Sequence, residues 1–517
     1  MHRDEMLELE FGVITEFLRR HARQRPAHRA LAEGSQKLDY AGLDELMDRT
    51  ACALQREGLK PGDSIAICAS MSIAYAAVFL GALRAGVVVA PLAQGSTAAS
   101  LARMIQDAGA KLLFTDAAVA ASLEPAHASA VPRITLDQSS AGSPLADWLS
   151  EPGAEPVPVL IAPGSPFNII YSSGTTGEPK GIVQPHAMRW THVRRGGAYG
   201  YGPETVTLLS TPLYSNTTLV VFFPTLAFGG TVVLMPKFDA EAYLRLAQAE
   251  RVTHTMLVPV QYQRLMARPD FGTYDLSSFR FKFSTSAPFG AALKAEVVRR
   301  WPGGLVEFYG MTEGGGTCIL EAHNYPAKLH TVGRPGEGHD IRLIDDDGRE
   351  VPPGEAGEVV GHSPGMMKGY HGQPEKTRDA EWFDPAGKRF IRTGDIGRFD
   401  SDGFLTLFDR KKDMIISGGF NIYPSDLESV LRAHAAVEDA AVVGVPSRQW
   451  GETPVAFVVR KNAGAVPADE LLQWVNQRVG KMQRLAALHF LDELPRSAIG
   501  KVLKRELRDR HRADATS

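Results

Sequence analysis

Tyr171-Ser-Ser-Gly-Thr-Thr-Gly-Glu-Pro-Lys-Gly181 packs four Ser/Thr hydroxyls, three glycines and one lysine into eleven residues between two apolar runs. Phe167 to Tyr171 reads as a strand entering it, and Ile182-Val183 as the start of the next. A glycine-rich loop of this kind can turn several backbone N–H groups toward one point, and its hydroxyls and Lys180 add donors. Such a loop is a cradle for phosphate oxygens. It lacks the four-residue spacer of a Walker A loop. From the loop alone, a polar surface hairpin is the competing reading.

At 517 residues the chain is too long for one core and predicts two to four domains or subdomains. It is 44% hydrophobic and 22% charged, with net charge −3. That predicts a globular protein with no broad attraction to nucleic acid or to a membrane surface. Cys52, Cys68 and Cys318 have neither zinc nor disulfide spacing, which predicts a reducing compartment. The charged start, Met1 to Glu10, does not read as a signal peptide, and Asp514 to Ser517 is no targeting address; a cytoplasmic location is expected. Ile73–Leu83 is too short to span a bilayer, and Leu219–Met235 is broken by Pro224 and Gly229-Gly230. Both read as buried helix-plus-strand units.

Leu43, Leu46, Met47 and Leu54 fall at helical spacing, with Gly58 and Pro61-Gly62 as a stop. Strand signals follow at Ser64–Cys68 and Val87–Pro91, and a further helix and strand at Leu101–Ile105 and Leu112–Thr115. The alternation predicts an α/β fold: a large multi-subdomain N-terminal domain with layered, mostly parallel sheets and helices. Ala141–Pro166, rich in Pro, Gly, Ser and Glu, reads as a linker. A turn signal at Asp400–Gly403 precedes a second boundary at Asp409-Arg-Lys-Lys-Asp413. This gives domains at 1–409 and 410–517, the latter a small mobile α+β domain with strands at Ala441–Val445 and Val455–Val459 and a helix at Ala468–Val479. Lys501–Arg512 reads as a solvated amphipathic helix.

Four further motifs accompany the opening loop: Val306-Glu-Phe-Tyr-Gly-Met-Thr-Glu313, Arg392-Thr-Gly-Asp395 (an acid placed in a turn), Asp409-Arg410, and Pro495-Arg-Ser-Ala-Ile-Gly-Lys501. In this order they resemble the adenylate-forming superfamily of acyl-CoA synthetases, peptide-synthetase adenylation domains and beetle luciferases, over residues 15 to 508. The resemblance implies an ATP-dependent acid–CoA ligase. The acid first displaces pyrophosphate from ATP to give an acyl-adenylate, and a thiol then displaces AMP. Charge builds on phosphorus oxygens in the first step, so fixed donors are the main catalytic need.

By this resemblance Ser172, Ser173, Gly174, Thr175, Thr176, Gly177 and Lys180 hold the ATP phosphates, and Thr312 meets the α-phosphate. Glu313 binds Mg²⁺. Ala287, Pro288, Glu307, Phe308, Tyr309, Gly310 and Met311 surround the nucleotide, with the Tyr309 ring against adenine. Asp395 and Arg410 take the ribose. Lys501 is the implied adenylation catalyst, a point charge bridging carboxylate and phosphate. Lys412 is the implied hinge of a domain rotation, after which Gly418, Gly419 and Trp450 receive coenzyme A.

The acyl pocket is implied at Tyr214, Ser215, Asn216, Met256, Ser286, Gly310 and Gly316. Many acyl-CoA synthetases carry a His where this chain has Ser215, and amino-acid-activating relatives carry an Asp absent between Leu208 and Val220. Gly314-Gly315-Gly316 adds no bulk, which predicts a long or wide cavity. Asn216, Thr217 and Ser286 either bond a polar ring substituent or satisfy one another. Asp413–Glu428 looks most like bacterial aryl- and small-acid-CoA ligases of the benzoate and 4-coumarate type. The expected substrate is therefore an aromatic or arylpropenoic acid, with a medium-chain fatty acid or a carrier-protein thiol acceptor as alternatives. The expected partners are small molecules, with neither nucleic acid nor membrane, and a homodimer stays open. A rival from another class is Gly361-His-Ser-Pro-Gly365, which matches a hydrolase elbow at Ser363. Pro364 offers no N–H for the oxyanion, which argues against it.

Overall fold

Leu43, Met47, Ala51 and Leu54 form the buried stripe of the helix Tyr40–Arg56, which starts where the Asp39 carboxylate accepts from the Gly42 N–H. Ile73–Arg84 and Asn216–Ala227 are helices apolar on nearly every side, and both are buried almost throughout. Helices of that kind belong inside a core. The computed structural model describes residues 3–123, 131–173, 179–411, 413–417, 420–447, 450–461, 466–497 and 500–514. The chain divides into two compact units.

The first unit comprises Met1–Leu329, Pro335–Asp340 and Gly361–Ile391. One of its sheets runs in the order Gly369–Tyr370, Pro179–Pro185, Pro166–Ser173, Val88–Pro91, Ser64–Cys68, Ala110–Thr115, Arg133–Thr135, Ser143–Pro144. The middle strands pair in parallel, and the hairpin Pro166–Ser173/Pro179–Pro185 is antiparallel. A second sheet lays Gly304–Gly310, Phe281–Ser284, His254–Leu257, Val206–Leu209, Thr231–Leu234 and Arg29–Glu33 in parallel, with antiparallel Thr317–Glu321 beside Gly304–Gly310 and antiparallel Gln36–Asp39 beside Arg29–Glu33. One apolar cluster draws on both sheets and both buried helices. At its centre the rings of Phe79, Phe167 and Phe223 meet, with centroids 5.0 Å apart for Phe167–Phe223 and 5.8 Å for Phe79–Phe223. The layered, largely parallel architecture is the one the alternating pattern predicts.

The second unit comprises His330–Arg334, Ile341–Val360 and Arg392–Ser517. Its distal part is a sheet of Phe420–Ile422, Ile415–Ser417, Gly451–Arg460 and Val437–Ser447 in antiparallel pairing, with Ala487–Leu491 added in parallel. Pro424–Arg432, Ala468–Asn476 and Lys504–Asp514 are its helices. The last buries Leu507 against Val443 and Phe457.

Three sequence expectations change. The stretch Arg392–Asp395 is not a free turn but lies inside the strand Arg389–Phe399, where Gly394 takes φ +71 and kinks the chain without ending it. The boundary placed between 409 and 410 falls inside the second unit, in the strand Leu405–Arg410 that pairs with the end of Arg389–Phe399. The segment 141–166 is partly folded: Ser143–Pro144 joins the sheet, and Trp148 packs edge-on against Phe114 at 5.2 Å.

Phe223→Ala should destabilise the first unit by about 3–5 kcal/mol, because the surrounding rings cannot close the space. A thermal or urea midpoint unchanged from wild type would contradict this packing.

Candidate active site

The hairpin register sets Ser172 directly opposite Lys180. Residues 174–178 lie outside the described residues, so Gly174, Thr175, Thr176 and Gly177 are placed by sequence alone, and only the backbone of Ser173 is described. The outer strand of the hairpin also pairs with Gly369–Tyr370, which carries the Tyr370 ring to within 4.9 Å of Lys180 Nζ. The same tyrosine donates its hydroxyl to Glu313 Oε1 at 2.9 Å. Burial and the adjacent carboxylate push the Tyr370 phenol above its ordinary range, so it stays protonated and remains the donor. A lysine from the hairpin and a carboxylate from the loop after Gly310 therefore converge on one ring. Sequence reasoning missed Tyr370. It stands 57 positions from Glu313 and belongs to a two-residue strand with no periodicity of its own.

Glu307, Phe308, Tyr309 and Gly310 end the strand Gly304–Gly310, and Met311, Thr312 and Glu313 follow, all partly exposed. Alternation splits their directions. Glu307 is buried and ion-paired with buried Lys294 of the helix Ala291–Arg300. Desolvation pushes its carboxyl pKa up, and Lys294 opposes the shift. Phe308 stacks on Phe283 at 5.5 Å. Thr312 is held through its carbonyl, which accepts from Gln184 Nε2 at 2.7 Å.

The three glycines after Glu313 do not signal a spacious floor. Gly314 has φ +76, and a Cβ there would lie 2.0 Å from the Gly365 carbonyl oxygen; one at Gly315 would lie 2.6 Å from Ile391 Cβ. Close backbone approach and a left-handed turn account for them. The same approach settles Ser363, whose Oγ donates to the Gly314 carbonyl at 2.7 Å. No helix follows Ser363, so no nucleophile elbow forms.

In the acyl region Ser215 caps the helix Asn216–Ala227, accepting from the Thr217 N–H at 3.3 Å. Asn216 Oδ1 accepts from Arg189 Nη1 at 2.7 Å, and the Thr217 and Ser286 hydroxyls bond each other. Thr217 and Ser286 thus bond each other, while Asn216 is taken up by Arg189. Ser286 holds φ +81, a strained conformation for a residue with a Cβ, just before half-buried Ala287 and exposed Pro288. Met256 is fully buried, and the Tyr214 phenol is pushed up to about 12 by burial. Sequence reasoning did not see that Asn168, Gln184 and Arg189 form a buried polar cluster behind this region.

In the second unit Asp395 and Arg410 face each other across the strand pair, with Arg410 Nε 3.0 Å from Asp395 Oδ1. Lys501 is exposed; the Ser497 N–H donates to its carbonyl at 2.8 Å, and Gly500 takes φ +76. Exposed Ile416 and Trp450 flank the Ser417–Gly451 pairing. Lys412, Gly418 and Gly419 lie outside the described residues. Among the described residues no cluster of three or more His, Cys, Asp or Glu could hold a metal ion, and no helix is long and apolar enough to cross a membrane.

The chain matches the AMP-binding enzyme family over residues 18–371 and the AMP-binding enzyme C-terminal domain over residues 426–501. It is 35% identical over 502 residues to a feruloyl-CoA synthase of Amycolatopsis sp, covering 95% of this chain and 97% of that protein. It is 34% identical to an indoleacetate–CoA ligase of Aromatoleum aromaticum, covering 96% and 97%. A crystal structure of ATP-bound MatB from Rhodopseudomonas palustris superposes with TM-score 0.86 at 30% identity, covering 97% of this chain and 99% of that one. The chain belongs to the AMP-binding enzyme family.

Ser363→Ala should cost about 1 kcal/mol through the lost bond to Gly314 and leave catalytic activity in place. Loss of turnover with intact folding would restore Ser363 as a nucleophile.

Proposed function

We propose that this chain is an ATP-dependent carboxylic acid–CoA ligase that passes through an acyl-adenylate. The observation that carries the reading is the convergence of Lys180, which stands opposite Ser172 in the hairpin, and Glu313 on Tyr370. A cation and a carboxylate held together, the cation on a hairpin whose sequence is rich in hydroxyls, suit a triphosphate and its counter-ion. A single carboxylate with a tyrosine donor fits Mg²⁺, which takes one or two protein carboxylates and draws its remaining ligands from phosphates and water. When bound, Mg²⁺ supplies charge neutralisation at the phosphates.

In the first step a carboxylate oxygen of the acid bonds to the α-phosphorus, and the bond from that phosphorus to pyrophosphate breaks. Ser172, Ser173, Lys180 and the hairpin residues 174–177 hold the phosphates. Thr312 serves the α-phosphate, Tyr309 the adenine, and Asp395 with Arg410 the ribose. Lys501 is the residue that lets two anions approach. In the second step a thiol bonds to the acyl carbon, the carbon–oxygen bond to AMP breaks, and the thiol proton passes to solvent. Lys412 is the hinge between the two steps, and Gly418, Gly419 and Trp450 receive the pantetheine arm. The relatives named for feruloyl and indoleacetate support an aromatic acid as substrate. The free cysteines among the described residues suit a cytoplasmic protein.

Lys501→Ala should lower acid-dependent ATP–pyrophosphate exchange by roughly two to three orders of magnitude, while sparing thioester formation from pre-made acyl-adenylate. Equal losses in both half-reactions would sink its role. Lys412→Pro should give the reverse pattern, because proline removes the backbone freedom of a hinge. Normal overall turnover of that variant would contradict a rotation at residue 412.

A further inference from the structure

Asp107 is the last residue of the helix Ala98–Asp107, whose final turn carries no basic side chain. The helix macrodipole leaves partial negative charge at that end, so a carboxylate there is unfavourable by itself. Its partners lie outside the helix. The Tyr171 hydroxyl donates to Asp107 Oδ2 at 2.6 Å, the short distance of a charge-assisted bond. His371 Nδ1 stands 3.9 Å from the same oxygen. Burial and the carboxylate push the Tyr171 phenol above its ordinary range, so it stays protonated and remains the donor.

These partners bracket the base of the Ser/Thr/Gly loop. Tyr171 and Gly181 face each other across the hairpin, one step further from the loop than Ser172 and Lys180. A Cβ at Gly181 would lie 3.2 Å from Asp107 Oδ2, 3.1 Å from Tyr171 Cε1 and 2.9 Å from Ile169 Cγ2. Gly181 lies outside the left-handed region, so its missing side chain serves the close approach of these groups. Its carbonyl accepts from the His371 N–H at 2.7 Å, next to Tyr370. One carboxylate from a separate helix thus meets all three strands at the base of the loop.

Side chains alternate between the faces of a strand, so Ser172 and Lys180 point away from the face that holds Tyr171 and Asp107. Fixing Tyr171 from behind therefore sets the direction of the donors in front. A glycine-rich loop loses much conformational freedom when it closes on a ligand, and a brace formed beforehand lowers that cost.

We propose that Asp107 is a positioning residue for ATP. Through Tyr171 it holds the loop base in the orientation in which Ser172 and Lys180 receive phosphate. This rests on the ligase reading, which supplies the ligand of the hairpin, and adds to it a residue that acts through the hairpin instead of on the nucleotide.

The test compares wild type, Asp107→Ala, Tyr171→Phe and the double variant. Calorimetric titration with magnesium-ATP gives the nucleotide Kd. Acid-dependent pyrophosphate exchange gives KM for ATP and KM for the acid, with an acid that supports exchange chosen from a panel of arylpropenoic and medium-chain acids. Each single variant should weaken ATP binding and raise KM for ATP by roughly three- to tenfold, with KM for the acid unchanged. The double variant should bind ATP no more weakly than the worse single variant, because both changes delete the same bond. A general loss of structure would instead raise both KM values together. Should Asp107→Ala yield no soluble protein, Tyr171→Phe, which removes one oxygen atom, carries the comparison alone. Unchanged ATP affinity in Tyr171→Phe, losses that multiply in the double variant, or a parallel rise in KM for the acid overturns this inference while leaving the ligase reading intact. A wild type that binds no magnesium-ATP, or supports exchange with none of the panel, overturns the ligase reading itself.

Discussion

The Arg189 guanidinium has no accessible surface and, among the described residues, no carboxylate to balance it. Amide oxygens from three other elements hold it: Asn168 Oδ1 at 3.1 Å, Gln184 Oε1, and Asn216 Oδ1 at 2.7 Å. The Phe167 and Phe223 rings lie 5.7 and 5.9 Å from it. Burial lowers its pKa to about 9, so it keeps its charge near neutral pH. Desolvating such a charge is costly, and only a complete shell of acceptors makes it tolerable. That shell joins both strands of the Ser/Thr/Gly hairpin, the helix His186–Gly196 after it and the helix Asn216–Ala227. Through Gln184 it reaches the carbonyl of Thr312. The cluster thereby ties to a common anchor the parts to which the proposed reaction assigns phosphate and acid.

The cluster also shapes the local field. Arg189 is fully buried and Arg195 partly so, and among the described residues neither forms an ion pair with a carboxylate. Uncompensated positive charge beside a pocket favours the carboxylate that the proposed reaction consumes, and in a region of low dielectric it does so more strongly than the same charge at the surface. In the second unit the charges are balanced in pairs. Asp409 faces Lys504 at 3.7 Å, and Asp413 bonds Arg508 at 2.8 Å, so acids on both sides of residue 412 grip the C-terminal helix. If residue 412 is the hinge, Asp409 must release Lys504 and the Ser425 N–H each time the chain turns, whereas Asp413 keeps its partner. Part of the cost of rotation is then electrostatic, and salt should reduce it.

Legibility followed periodicity. Ile73–Arg84 and Asn216–Ala227 are apolar enough to be read as buried helices, and Ser64–Cys68 as a buried strand. The hairpin was legible because its glycines and hydroxyls interrupt two apolar runs. Asp395 was misplaced because Thr-Gly-Asp reads as a turn, whereas cross-strand pairing with Arg410 holds it in a kinked strand. Gly314 to Gly316 were read as room, yet what Gly314 and Gly315 permit is contact with Gly365 and Ile391, neighbours no local pattern reveals. Asn168, Gln184 and Arg189 stand at positions where an apolar residue would be expected, and only the fold shows that they find one another. Tyr370 is the same case in the candidate active site.

The most direct test of the account uses an acid with both carboxylate oxygens replaced by ¹⁸O, supplied with ATP, magnesium and coenzyme A. Adenylation requires AMP to keep one heavy oxygen from the acid, with none in pyrophosphate, while the acyl thioester accumulates in equal amount. Heavy oxygen in inorganic phosphate beside ADP, or AMP without any label, would contradict it.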